Sequence, residues 1–236
     1  MTKNRLHETD LCNICVLPER DQWVRLRGKK SFVPPHSLEP VRRNMSPLFG
    51  LQTNMFPDVL TDDKRSLEGL KRAIRSPRDL VPNLRRAEAI IEFRKKSVSN
   101  SIGETFPSHS ITIDNKVRLT HSFALEIDGR RVIPFVDLRK SGSLSSHARE
   151  FLFAMNFHLI VDTFSDFSDF GLVVLDYWED SALSKGFTPH FFSGTPRYSY
   201  AELSDMIART HSIWLEVLEG RKRGGEESGP IGPLFA

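Results

Sequence analysis

At 236 residues the chain has length for one sizeable domain with additions, or for two small ones. Its 39% hydrophobic and 27% charged residues exclude wholesale disorder, and its two cysteines give no disulfide framework. No apolar run approaches the ~20 residues that a membrane helix needs. Met1-Thr2-Lys3-Asn4-Arg5 has no apolar stretch behind it, so no secretory signal is expected and the cytoplasm is the expected compartment.

The net charge of +3 says little, but its distribution says more. Residues 20–43 hold seven Lys or Arg against two acids, and residues 64–96 hold eleven against four. Residues 162–180 carry six acids and neither Lys nor Arg. A basic front half ahead of an acidic strip could present one face to a polyanion such as DNA, or these could be solvated faces.

In chain order, residues 1–60 show no sustained period. Pro34, Pro35, Pro40, Pro47 and Pro57 forbid a long helix, and a short strand is conceivable at Trp23–Arg27. This segment reads as an irregular basic extension. Cys12 and Cys15 have zinc-ligand spacing with His7 and His36 in reach, but a second pair is missing, so two buried thiols are the expectation and zinc is not. Thr61 is a good N-cap for a helix carrying Leu67, Leu70 and Ile74, which Ser76-Pro77 ends. Leu84–Lys96 alternates as a strand would, yet its composition favours a helix, and both readings stay open.

A three-strand meander is expected next. Ile111 and Ile113 lead into alternation from Val117 to Ile127, and Asp128-Gly129 is the pair a two-residue hairpin turn favours. Val132–Leu138 returns, with Pro134 pointing to an edge or a bulge. Ser145 caps a helix burying Ala148, Phe151, Leu152, Met155 and Leu159, and Leu172–Leu175 is a short strand buried on both faces. Ser199 and Glu202 form a capping box opening a last helix, and a polar tail follows Gly220. Phe164, Phe167 and Phe170 recur every third residue among acids, either as core or as a docking patch.

The expected fold class is therefore α/β, a mixed sheet flanked by helices. Expected units are the extension at 1–60, a core at 61–178, a helical segment at 179–220 and a flexible tail at 221–236.

The stretch Arg118–Arg131, followed by Phe135-Val136-Asp137-Leu138-Arg139-Lys140-Ser141-Gly142, resembles TnsA-type transposase endonucleases of the PD-(D/E)XK nuclease superfamily. The resemblance implies a restriction-endonuclease-like α-β-β-β-α-β core, action on DNA in transposition or a related mobile-element process, and a transposase-type protein partner. Such chemistry needs converging acids on a divalent metal, Mg²⁺ being the ion that carboxylates suit, with a cation near the scissile phosphate. The resemblance places Asp137 with Asp128 or Glu68 on the metal, and Arg139 or Lys140 on the phosphate. Asp128 reads first as a turn residue, because the hairpin turn favours Asp-Gly. The sequence departs from the family where His121-Ser122 replaces Pro-Asp and Asp137-Leu138-Arg139 replaces Glu-x-Lys. Cleavage is thus left open as retained, impaired or lost. The alternative is a non-enzymatic adaptor with the same fold, binding a protein through the acidic Phe-rich strip and the Trp214 helix.

Overall fold

One mixed sheet divides the chain into two apolar layers. The computed structural model describes residues 6–29, 38–51, 63–102, 111–113, 117–119, 123–140, 143–181 and 184–223. The helices α1 (Glu8–Cys15), α2 (Glu19–Gly28), α3 (Glu39–Arg43), α4 (Met45–Leu48), α5 (Asp63–Ala73) and α6 (Pro77–Ser97) come first. The strands β1 (Val98–Ile102), β2 (Ile111–Ile113), β3 (Val117–Leu119), β4 (Ala124–Ile127) and β5 (Arg130–Asp137) follow. Then come α7 (Ser146–Asn156), extended by a π turn over Phe157–Val161, a 3₁₀ turn at Ser165–Phe167, β6 (Gly171–Glu179), β7 (Lys185–Phe191) and α8 (Tyr200–Arg223).

The sheet runs β1-β4-β5-β6-β7, and β2 with β3 forms a separate two-stranded ribbon. β5 and β6 are parallel, with α7 between them in the chain, and the other neighbours are antiparallel. This is the α/β class expected, a mixed sheet flanked by helices.

Several local expectations change. The meander is not three consecutive strands: β4 pairs with β5 around Asp128 and Gly129, while β1, unanticipated, takes the position beside β4. Asp128 and Gly129 have φ of 51° and 73°, the positive pair the hairpin turn demands. Pro134 sits in a central strand rather than at an edge. The β4 ladder ends at Val132, two residues before it, so the missing N–H costs no bond on that side. The ambiguous stretch at 84–96 is helix, because Asn83, Ala87, Ile90 and Ile91 fall on one buried stripe at helical spacing. The N-cap assigned to Thr61 lies outside the described residues. Two caps are formed as read: Ala148 N donates to Ser145 Oγ at 3.2 Å, and Ser199 and Glu202 hold each other reciprocally.

The N-terminal stretch, expected to be irregular, holds four short helices among its described residues, and the conceivable strand at 23–27 lies in α2. One sheet face presents Ile133, Leu172 and Val174 to α1, α7 and the start of α8. The other presents Val132, Val173, Leu175 and Tyr177 to α6 and to Val41, Leu48 and Phe49. A smaller cluster joins Ile14 and Leu26 to Ile213, Trp214 and Val217 of α8. Trp214 and the aromatics Phe167 and Phe170, weighed above as docking surfaces, are therefore buried in packing. Among the described residues no helix is long and apolar enough to cross a membrane.

Phe49 and Phe151 are both fully buried, on opposite sides of the sheet. Phe49→Ala and Phe151→Ala should each cost about 3–5 kcal/mol in urea unfolding. A near-neutral Phe49→Ala would show that residues 38–51 are not part of the cooperative fold.

Candidate functional site

Strand β5 ends in an acid, and so does the apolar run of β6. Asp137 and Asp176 are register partners on these parallel strands. Counting back by twos, they share the face of Ile133, Leu172 and Val174, toward α1 and α7. Two carboxylates side by side under a helical layer repel and lose hydration, so cations must reach them.

Asp137 is 2% exposed, and Arg139 grips it with a fork. Nε donates to Oδ1 at 3.1 Å and Nη2 to Oδ2 at 3.2 Å, while the Arg139 backbone N–H adds a third bond at 3.2 Å. Arg139 Nη1 continues to Asp10 of α1 at 3.4 Å, and Asp10 also pairs with Lys29 at the end of α2. Asp176 is reached from α7 by Arg149 Nη1 at 3.1 Å and from β7 by His190 Nε2 at 3.2 Å. Its second oxygen, Oδ1, is buried with no hydrogen-bond partner. Burial, followed by the charge of Asp137, pushes the Asp176 carboxyl above the ordinary range despite Arg149 and His190.

The opposite face carries a second polar set. Glu179 accepts from Arg85 Nη1 at 2.5 Å and from the Tyr177 hydroxyl at 3.1 Å. Burial raises its pKa, but the Tyr177 bond and the charges of Lys140 and Arg85 outweigh it, so the net shift is downward. Arg86 lies 4.6 Å from the centre of the Tyr177 ring and donates to the Leu138 carbonyl at 2.8 Å.

The five residues singled out above fall in different places. Arg139 turns to the α1 face, whereas Lys140 approaches Glu179 at 3.9 Å on the α6 face. Asp128 sits in the hairpin turn at the far end of β5 from Asp137, roughly 25–30 Å away at the usual rise per strand residue. Glu68 is exposed on α5, held by Lys71 at 2.9 Å. Among the described residues no group of three His, Cys, Asp or Glu side chains comes together as a metal set. Cys12 and Cys15 lie in α1, buried in the core, where burial pushes the Cys15 thiol up to about 12 and disfavours the thiolate that zinc needs.

Sequence reasoning missed Asp176, Arg149 and Asp10, and it weighed His7 only as a companion of the two cysteines. The legible signal was an Asp closing each of two apolar strands joined by one helix. Arg139 lies two residues from Asp137, but Arg149 reaches Asp176 across 27 positions and Arg139 reaches Asp10 across 129, and these pairings leave no local pattern. His7 sits beside this network, with Arg42 Nη1 donating to its Nε2 at 2.8 Å. A guanidinium only donates, so the ring nitrogen accepts and the imidazole is neutral. Burial first, then the charge of Arg42, lowers its pKa to about 4.

The network can act as a clasp: it holds α1, α7 and β7 to the carboxyl ends of β5 and β6. Chemically, Arg139 and Arg149 neutralise the two acids they touch.

Comparison with known proteins gives a consistent answer. The family described as "Sliding clamp-binding bacterial toxin SocB" matches residues 9–224. A curated relative, "DNA replication inhibitor toxin SocB" of Caulobacter vibrioides (strain NA1000 / CB15N), is 25% identical over 242 residues, covering 98% of each chain. No solved structure matches. These matches overturn the TnsA-type resemblance, and with it the endonuclease and transposition readings and the transposase-type partner. The misleading features were a hairpin with an Asp-Gly turn and a charged triplet before a helix, both of which β-sheet geometry produces without nuclease chemistry.

Two measurements check the clasp. Arg139→Met should destabilise the protein by roughly 3 kcal/mol, because Asp137 is left buried and unpaired, while Asp137→Leu with Arg139→Met should recover most of that loss. A double variant as unstable as the single one would show the pair is not the relevant contact. His7 binds its proton near pH 4 in the fold against 6.5 in the unfolded chain, so its contribution is complete above 6.5 and lost as pH falls toward 4. Denaturation across that window should show about 3 kcal/mol of loss, and His7→Gln should flatten it.

Proposed function

The chain belongs to the SocB family of sliding clamp-binding bacterial toxins, and from that premise we propose that it is a cytoplasmic toxin that inhibits DNA replication by binding a sliding clamp. The observation that carries this reading is the extent of the match. Residues 9–224 span α1 through α8, so both apolar layers and the clasp lie within the matched region.

The arrangement of charges supports a binding role. Asp137 is gripped by Arg139, and Glu68 is held by Lys71 on another element. Asp128 serves a turn. These side chains stabilise a scaffold, and a scaffold is what a protein-binding inhibitor requires. The α-β-β-β-α-β order expected from the sequence can be traced through α6, β1, β4, β5, α7 and β6, which supports a restriction-endonuclease-like architecture used here as that scaffold.

The test is biochemical. Purified protein should form a complex with a bacterial sliding clamp in size-exclusion chromatography and by surface plasmon resonance. It should slow clamp-dependent DNA synthesis, and excess clamp should restore the rate. Absence of a complex, or inhibition that persists in a polymerase assay run without clamp, would reject the proposal.

A further inference from the structure

The cations of residues 64–96 are a sequence-level surplus, and the fold sorts them into two groups. One group is engaged internally. Lys71 pairs with Glu68, Arg85 with Glu179, Arg94 and Lys95 with Asp63, and Lys96 with Glu92, and Lys64 is engaged as well. Arg86 is buried against Tyr177 and the Leu138 carbonyl.

The other group is Arg65, Arg72, Arg75 and Arg78. All four are exposed, and none has an ion pair or side-chain hydrogen bond among the described residues. They are close in the chain and in the fold. Arg65 and Arg72 are seven apart in α5, which puts them on one helix face about 10 Å apart along the axis. Arg75 lies in the link between α5 and α6, and Arg78 in the first turn of α6. The acids nearby are few: Glu68, already held by Lys71 and felt weakly by Arg72, and Asp79.

Such a row is unfavourable for the isolated fold. Four guanidiniums within fourteen residues repel one another, and between residues 65 and 79 the acids are Glu68 and Asp79. The row also converges on the opening turn of α6, a helix of 21 residues, whose backbone N–H groups add positive potential at the same place.

We propose that Arg65, Arg72, Arg75 and Arg78 form a contact for the phosphate backbone of duplex DNA, independent of sequence and separate from clamp binding. Guanidinium groups suit phosphate because their fixed fork donates two bonds to it. A cluster of exposed arginines suits a polyanion. The alternative occupant, an acidic protein surface, fits less well, since protein interfaces need a central aromatic or aliphatic anchor. Among the described residues the exposed large hydrophobic side chain beside the row is Val81, with Leu80 half-buried.

The experiment uses the full chain and a short fluorescent DNA duplex, with anisotropy titrations across a salt series. Wild-type affinity should fall steeply with salt. The variant R72Q/R75Q/R78Q should bind at least tenfold more weakly at low salt, and its log–log salt slope should be shallower by about 3, near one per arginine removed. R20Q/R25Q, on the exposed face of α2, serves as the control and should change neither quantity by a comparable amount. All five positions are exposed, so the variants should keep the wild-type circular dichroism spectrum and melting point. Clamp binding measured in parallel without DNA should be unaffected in the triple variant, which separates this proposal from the preceding one. Equal affinity and slope in wild type and triple variant would overturn it. So would a triple variant that keeps DNA binding but loses the clamp, an outcome that assigns the row to a protein surface.

Discussion

Two carboxylates placed in register on adjacent buried strands are the constraint from which much of this structure follows. Asp137 and Asp176 cannot share one face of a sheet beneath helices unless cations reach them. Their partners come from three directions: the guanidinium of Arg139 from the strand's own exit loop, that of Arg149 from the crossover helix α7, and the His190 ring from β7. Asp10 then draws α1 and, through Lys29, the end of α2 into the same chain of charges. The position of the N-terminal helices is thus tied electrostatically to the end of the parallel strand pair. An apolar layer made of α1, α7 and α8 is sealed at that end.

The sheet's other face obeys the same logic with different chemistry. Arg86 stacks on Tyr177 and bonds the Leu138 carbonyl, and Arg85 meets Glu179, so α6 is fixed to β6 by cations lying over an aromatic and an acid. Between these polar ends, β5 and β6 pair through continuous apolar registers from Val132 to Val136. The charges near the sheet are consequently occupied within the fold. Arg65, Arg72, Arg75 and Arg78, at the junction of α5 with α6, point outward without an ion pair among the described residues. A folded scaffold with its acids internally compensated and its surplus arginines outside is suited to holding other macromolecules, in keeping with a family of clamp-binding toxins.

The contrast with the nuclease resemblance is instructive in physical terms. A charged triplet after a strand looks the same in sequence whether its side chains converge or splay. Asp137, Arg139 and Lys140 illustrate this, since the exit from β5 sends Arg139 toward α1 and Lys140 toward Glu179. An Asp beside Gly is similarly ambiguous until φ is known, and at Asp128 the backbone is left-handed.

The sequence by itself determined what short-range chemistry controls. The Asp128-Gly129 hairpin, the Ser145 and Ser199 caps, the buried strand at Leu172–Leu175 and the inner face of α7 all depend on neighbours within about four residues. The α/β class followed from their order. Tertiary structure alone decided the rest. Packing against the sheet made 84–96 a helix, and pairing across 22 to 29 residues gave β1 its place beside β4. Contacts spanning 27 to 129 positions matched Arg149 and Asp10 to their charges. Such pairings are set by burial and the cost of unpaired charge in three dimensions, and neither leaves a periodic mark along the chain.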